Sequence, residues 1–140
     1  MNDNVNTNQE DVVTTILIAD DDEDILALVN RALSESGYEV LLARDGAAAL
    51  ATVRERSPAL ALLDISMPAL DGYEVTSTLK GDPATKDTIV ILFTARSEAS
   101  DVEKGYEAGA DDYIMKPFTL KTLQSRVAAA LGHATETAQS

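Results

Sequence analysis

Apolar residues come in short bursts along the 140-residue chain, and the bursts alternate between two kinds. TILIADD (15–21) is a β-branched run ending in acids, which predicts a strand. EDILALVNRALSESG follows, with Ile25, Leu28, Val29, Ala32 and Leu33 at i, i+3, i+4, i+7 and i+8. That spacing lays one apolar stripe along a helix. Glu23 and Asp24 fall in its first turn, where negative charge suits the helix dipole, and Gly37 supplies a stop. YEVLLA (38–43) predicts a second strand, and DGAAALATVRER an Ala-rich helix closed by Ser57-Pro58. ALALLD (59–64) is a third strand, apolar without alternation, as a strand covered on both faces should be. GYEVTSTLK is a weaker helix, and Gly81-Asp82-Pro83 opens a loop that runs to Thr88. IVILFT (89–94) is strand four, SEASDVEKGYEAGA a helix with Gly109 near its end, and DYIMK (112–116) strand five. TLKTLQSRVAAALG closes the series, with Leu120, Leu123, Val127, Ala130 and Leu131 as its stripe and Gly132 as cap.

Five strands alternating with five helices predict an α/β domain: parallel strands, with helices on both faces of the sheet. The expected domain spans 14–132, with 1–13 and 133–140 as flexible tails. The start, MNDNVNTNQEDVV, is polar and acidic and lacks the positive region and apolar core of a secretory leader. No apolar stretch approaches the ~20 residues of a membrane span. The absence of cysteine removes disulfides, thiolate nucleophiles and cysteine metal sites, and suits a reducing cytoplasm. Net charge is −13, from 24 acidic and 11 basic residues. A field of that sign repels nucleic acid and anionic lipid, so neither is expected as a direct partner, whereas cations and basic surfaces are attracted.

The chemistry gathers at the strand ends. Strand one ends in Asp20, Asp21 and Asp22, strand three in Asp64, strand four in Thr94 and strand five in Lys116. Parallel strands put these ends on one edge, where open α/β sheets bind ligands. Two carboxylates ~4 Å apart repel by about 4 kcal/mol at an effective dielectric near 20. One lysine does not balance three acids, so either some take up protons or a divalent ion sits among them. All candidate ligands are oxygens, which selects Mg²⁺, Mn²⁺ or Ca²⁺ over zinc, and a few carboxylates with open positions suit Mg²⁺ best. A carboxylate beside such an ion can form an acyl phosphate, with Lys116 and the Thr94 hydroxyl orienting the phosphoryl oxygens.

In this order and spacing, ILIADDDEDI, LLDISMPALDG, ILFTA and GADDYIMKPF resemble the receiver domain of two-component response regulators over residues 15–131. The resemblance implies a flavodoxin-like, doubly wound, three-layer α/β/α single domain with strand order 2-1-3-4-5. It makes Asp64 the phosphoacceptor, charged by a sensor histidine kinase or a histidine phosphotransfer protein. It makes Asp20 and Asp21 the acids that hold Mg²⁺ (Mn²⁺ as an alternative), with Asp21 the more direct ligand and the Ser66 backbone carbonyl completing the site. Thr94 and Lys116 would bind the phosphoryl group, and Tyr113 would be the aromatic switch that turns inward when Thr94 moves. The Lys116–Pro117 bond would be cis. A downstream protein would read the face made by helix four, strand five and helix five, in a cytoplasmic monomer or a weak, phosphorylation-dependent dimer. GADDY with Arg126 resembles the branch that carries winged-helix DNA-binding domains, in which Asp112 and Arg126 would pair across that face. Val102 and Thr122 stand where further charges would be expected, which argues against the dimer of the winged-helix branch. Ser66 and Arg96, each two residues past a key position, flank the pocket.

Other readings of the same residues exist. Asp20–Asp22 could be a solvated turn capping a helix, and Asp71-Gly72 reads as a turn and helix start. A magnesium-dependent phosphatase of the aspartyl-phosphate type would usually carry a second acid two residues after the nucleophile, where this chain has Ser66. A binding module that never takes phosphate is the third alternative. His133, the lone histidine, follows the last helix in a polar tail and suits no phosphodonor role. HATETAQS after Gly132 is too short for an output domain, which fits either a stand-alone receiver or a piece of a longer regulator.

Overall fold

Alternating apolar side chains on each strand have to be covered from both sides, and in the computed structural model they are. It describes residues 13–95 and 98–132. Chain order is β1 (Thr15–Ala19), α1 (Glu23–Glu35), β2 (Glu39–Ala43), α2 (Gly46–Arg56), β3 (Leu60–Leu63), α3 (Gly72–Lys80), β4 (Ile89–Thr94), α4 (Ala99–Ala108), β5 (Asp112–Met115) and α5 (Leu120–Ala130). The sheet order is β2-β1-β3-β4-β5 and every pairing is parallel. Ile16 and Ile18 of β1 face α1 and α5, whose Leu26, Val29, Leu33, Leu123 and Val127 complete that layer. Leu17 and Ala19 face the opposite way, toward the side chains of α2 and α3. All four residues of β3 are buried, as its unbroken apolar run requires. All but residue 13 of the expected tails lies outside the described residues.

One stripe differs from its periodicity. On α1 the buried residues are Leu26, Val29, Ala32 and Leu33; Ile25 is half-buried and Leu28 is 47% exposed. Two apolar stripes overlap on this helix, and docking on the sheet selects the one centred on Leu26 and Val29. β1 is also shorter than its apolar-acidic run. The ladder ends at Ala19, and the Asp20 amide donates to the Ala43 carbonyl (3.1 Å).

The loop from β3 to α3 folds tightly behind Asp64. The Gly72 amide donates to the Ile65 carbonyl (2.9 Å) and the Leu70 amide to the Pro68 carbonyl (2.9 Å). Asp71 caps α3 reciprocally with Glu74. Between them Ala69 is held at φ 73°, a left-handed conformation that costs an L-residue with a Cβ about 1–2 kcal/mol. Ala69→Gly removes that cost and adds some unfolded-state entropy, so the expected net gain in stability is about 0.5–1 kcal/mol. Urea denaturation measures it; a lower midpoint would contradict the left-handed turn.

Candidate functional site

The C-terminal ends of β1, β3, β4 and β5 deliver their polar residues to one edge. Asp20 and Asp64 follow β1 and β3 and are 1% and 5% exposed. Their backbones are tied together, since the Asp64 amide donates to the Ala19 carbonyl (2.9 Å). Carboxylate oxygens of Asp20, Asp21 and Asp64 lie within 4.8 Å of one another. Lys116 Nζ is 2.9 Å from Asp20 Oδ2 and 3.6 Å from Asp64 Oδ1. It also sits 4.9 Å from the centre of the Phe93 ring, which keeps the ammonium over this edge.

The acidic run after β1 divides its labour. Asp22 caps α1, its carboxylate accepting from the Asp24 amide (2.9 Å) and the Ile25 amide (3.4 Å). Asp20 turns inward, with Oδ1 accepting from the Asp22 amide (2.9 Å) and Oδ2 from Lys116. Asp21 is exposed beside it. The capping-turn reading therefore holds for Asp22, while its two neighbours join Asp64.

Burial pushes the Asp64 carboxyl above the usual carboxylate range; the charge on Asp20 adds to this, Lys116 pulls it back, and Asp21 adds again. Three acids against one lysine, with one acid destabilised in its charged form, is the electrostatic setting of a cation site. A folded-state pKa above the unfolded value of ~3.9 means that the native state holds more protons in the intervening range. Stability from Asp64 is thus fully present below the unfolded value and is lost as pH rises through the folded one. Asp64→Asn, with no charge to bury, is expected to be more stable than wild type at neutral pH in chelator. The gain should shrink at acid pH and on adding Mg²⁺. Melting curves at several pH values check this, and a variant less stable at neutral pH would contradict it.

Thr94 and Lys116 share the edge with this centre, and the other expected residues take separate places. Thr94 ends β4, is 1% exposed, and its carbonyl accepts from the Lys116 amide (2.7 Å). The Lys116–Pro117 peptide is cis. Ser66 is exposed in the loop two residues after Asp64. Tyr113, on β5, is 5% exposed, with its ring already inward. Arg126 forms a two-pronged ion pair with Asp112 inside the one chain, Nε to Oδ2 at 2.8 Å. Arg96 and His133 lie outside the described residues.

Close backbone approaches are what residue-type reasoning missed. A Cβ on Gly72 would lie 2.7 Å from the Asp64 carbonyl oxygen, so Gly72 is more than a turn residue: its bareness lets α3 start directly behind Asp64. A Cβ on Gly46, the first residue of α2, would lie 1.9 Å from the Leu70 carbonyl oxygen. The Asp-Gly pairs at 45–46 and 71–72 were the available signal.

Comparison with known proteins gives a single family. The response regulator receiver domain matches residues 16–128. PrrA of Mycobacterium tuberculosis, a transcriptional regulatory protein, is 46% identical over 125 residues, which make up 89% of this chain and 53% of that protein. The chain spans about half the length of the curated relatives it matches. A putative response regulator from Chloroflexus aurantiacus superposes with a TM-score of 0.82 at 34% identity, covering 86% of this chain and 99% of that one. The BeF3-activated DrrB receiver domain does so at 0.79 and 35%, with the same coverage. No described helix is long and apolar enough to cross a membrane.

Proposed function

The chain belongs to the response regulator receiver domain family of two-component systems, and from that premise we propose that Asp64 accepts a phosphoryl group from a phosphohistidine. The observation that carries this reading is the convergence of Asp20, Asp21, Asp64 and Lys116 at one sheet edge. Receiver domains bind Mg²⁺ at such an acidic cluster. Here the carboxylates of Asp20, Asp21 and Asp64 and the Ser66 backbone carbonyl would hold it. Asp21 would be the more direct ligand, because Asp20 is already engaged by Lys116 and the Asp22 amide. When bound, Mg²⁺ supplies positive charge against the phosphoryl oxygens.

The chain's own residues do the rest. A carboxylate oxygen of Asp64 attacks phosphorus; the O–P bond forms as the N–P bond breaks, and the imidazole leaves with the bonding pair and takes a proton from solvent. Burial keeps the nucleophile poorly hydrated. The Lys116 ammonium lies between Asp20 and Asp64, where it can pair with a phosphoryl oxygen, and the Thr94 hydroxyl donates to another. Water later cleaves the acyl phosphate, so the domain acts as a switch on itself and turns over no outside substrate. The phosphatase alternative lacks its second acid, since Ser66 stands there.

The partners follow from the chemistry. The donor is a sensor histidine kinase or a histidine phosphotransfer protein, which puts the domain in the cytoplasm with the kinase's ATP. The output is a protein that reads the α4–β5–α5 face, with the domain a monomer or a weak, phosphorylation-dependent dimer. The internal Arg126–Asp112 pair already occupies charges on that face. PrrA is by name a transcriptional regulator and about twice the length of the match. The expectation of no direct nucleic-acid contact is therefore confined to the acidic domain seen here, and a longer protein would contact DNA through residues outside it.

Incubation with acetyl phosphate tests the reading. One hydroxylamine-labile phosphoryl group per chain, formed only when Mg²⁺ is present, is expected; multiple turnover on diverse phosphomonoesters would overturn it.

A further inference from the structure

Helix α4 is docked on the sheet through a gap. Among its ten described residues only Gly105 is buried, and its N-cap, Glu98, makes no side-chain capping bond. A Cβ built on Gly105 would lie 3.0 Å from Leu92 Cδ1 on β4, and 3.0 and 3.1 Å from Tyr113 Cδ2 and Cε2 on β5. Glycine in a helix interior costs roughly 1 kcal/mol against alanine. This one is not in the left-handed region, so its backbone does not call for glycine. What calls for it is the tyrosine ring, buried in the space where a side chain would be.

Leu92 and Tyr113 are register partners across β4 and β5, and two residues further along the same pair of strands lie Thr94 and Met115. The notch therefore touches the strand pair that carries Thr94 and leads to Lys116. We infer that Gly105 is a positioning residue: the notch left by its missing side chain receives the Tyr113 ring, so that the inward ring and the docked α4 form one two-position element coupled to the phosphoryl pocket. This rests on the proposed role of Asp64 and Tyr113. What it adds is the contact itself: the Tyr113 ring lies inward against Gly105, and the missing side chain is what leaves room for it. A methyl in the notch penalises the inward ring and, through it, any ligand that favours that state.

The test is a double-mutant cycle of Gly105→Ala and Tyr113→Ala, read in two ways. The first is the Tyr113 ring resonance in ligand-free protein, assigned by its loss in Tyr113→Ala. The second is affinity for beryllium trifluoride with Mg²⁺, the probe that activates the DrrB receiver domain. Gly105→Ala alone is expected to move the ring signal toward that of exposed tyrosine and to weaken beryllium trifluoride binding roughly five- to tenfold. In the Tyr113→Ala background the same substitution should change affinity less than about twofold. A ring signal that stays in place, or an equal loss in both backgrounds, overturns the notch. A wild type that binds no beryllium trifluoride overturns the phosphoacceptor reading, and the coupling with it. Alanine favours the helix, and a retained melting transition in Gly105→Ala separates a switching effect from unfolding.

Discussion

Lys116→Ala is expected to slow phosphoryl incorporation at Asp64 by about 10²-fold or more, the usual cost of deleting one preorganised group that meets developing charge. The lysine has two duties. Its ammonium is 2.9 Å from Asp20 Oδ2 and 3.6 Å from Asp64 Oδ1, so it holds two buried acids in place before any phosphoryl group arrives. Among the described residues it is also the cation paired with Asp64, and so the one placed to meet a phosphoryl oxygen there. Removing it leaves Asp20, at 1% exposure, without its counter-charge, and a buried charge stripped of its partner costs a few kcal/mol. Two signatures follow. The initial rate of labelling with acetyl phosphate falls, and the melting point in chelator falls too. Mg²⁺ should restore the second more than the first, because the ion replaces charge near the acids but not the donor on the phosphoryl group. A Lys116→Ala protein labelled at the wild-type rate would remove the lysine from the mechanism.

Gly46→Ala is expected to be the most damaging single methyl in the described structure. The added Cβ would meet the Leu70 carbonyl oxygen at 1.9 Å and the Leu70 Cβ at 2.7 Å, so the obstacle includes backbone. The Gly46 amide also donates to the Pro68 carbonyl (3.3 Å), so α2 and the loop behind Asp64 cannot part without losing that bond. Overpacking of this kind costs roughly 2–3 kcal/mol, and more where the backbone has to shift. The loop that moves carries Ser66, so labelling of the folded fraction should slow as well. Gly37→Ala is the control. Gly37 has φ 96° and open space around its Cβ position, so it should lose only the left-handed strain, about 1 kcal/mol. Denaturant midpoints of the two variants decide the matter, and equal losses would mean that the close approach at Gly46 is absorbed elsewhere.

The alternation of apolar bursts made the fold legible. β3 reads as buried because LALL has no polar alternation, and it is buried at every position. The site was legible for a related reason: a carboxylate directly after such a strand has few structural uses, and Asp64, Asp20 and Lys116 directly follow three strands of one parallel sheet. What was hidden depended on contacts between distant segments. The stripe on α1 had two apolar solutions, and only packing against the sheet chooses Leu26 over Leu28. Gly105 is an ordinary helix interruption in the sequence and becomes meaningful only when the Tyr113 ring is seen beside it. Ala69 gives no hint of its positive φ, since alanine is the wrong residue for that conformation.

The side chain at position 64 is the one chemical group the whole account cannot do without. Intact mass after incubation with Mg²⁺ and acetyl phosphate, wild type beside Asp64→Asn, addresses it directly. The predicted result is a single added phosphoryl group on the first and none on the second, with both folded. An unlabelled wild type, or an Asp64→Asn protein labelled to the same extent, would contradict it.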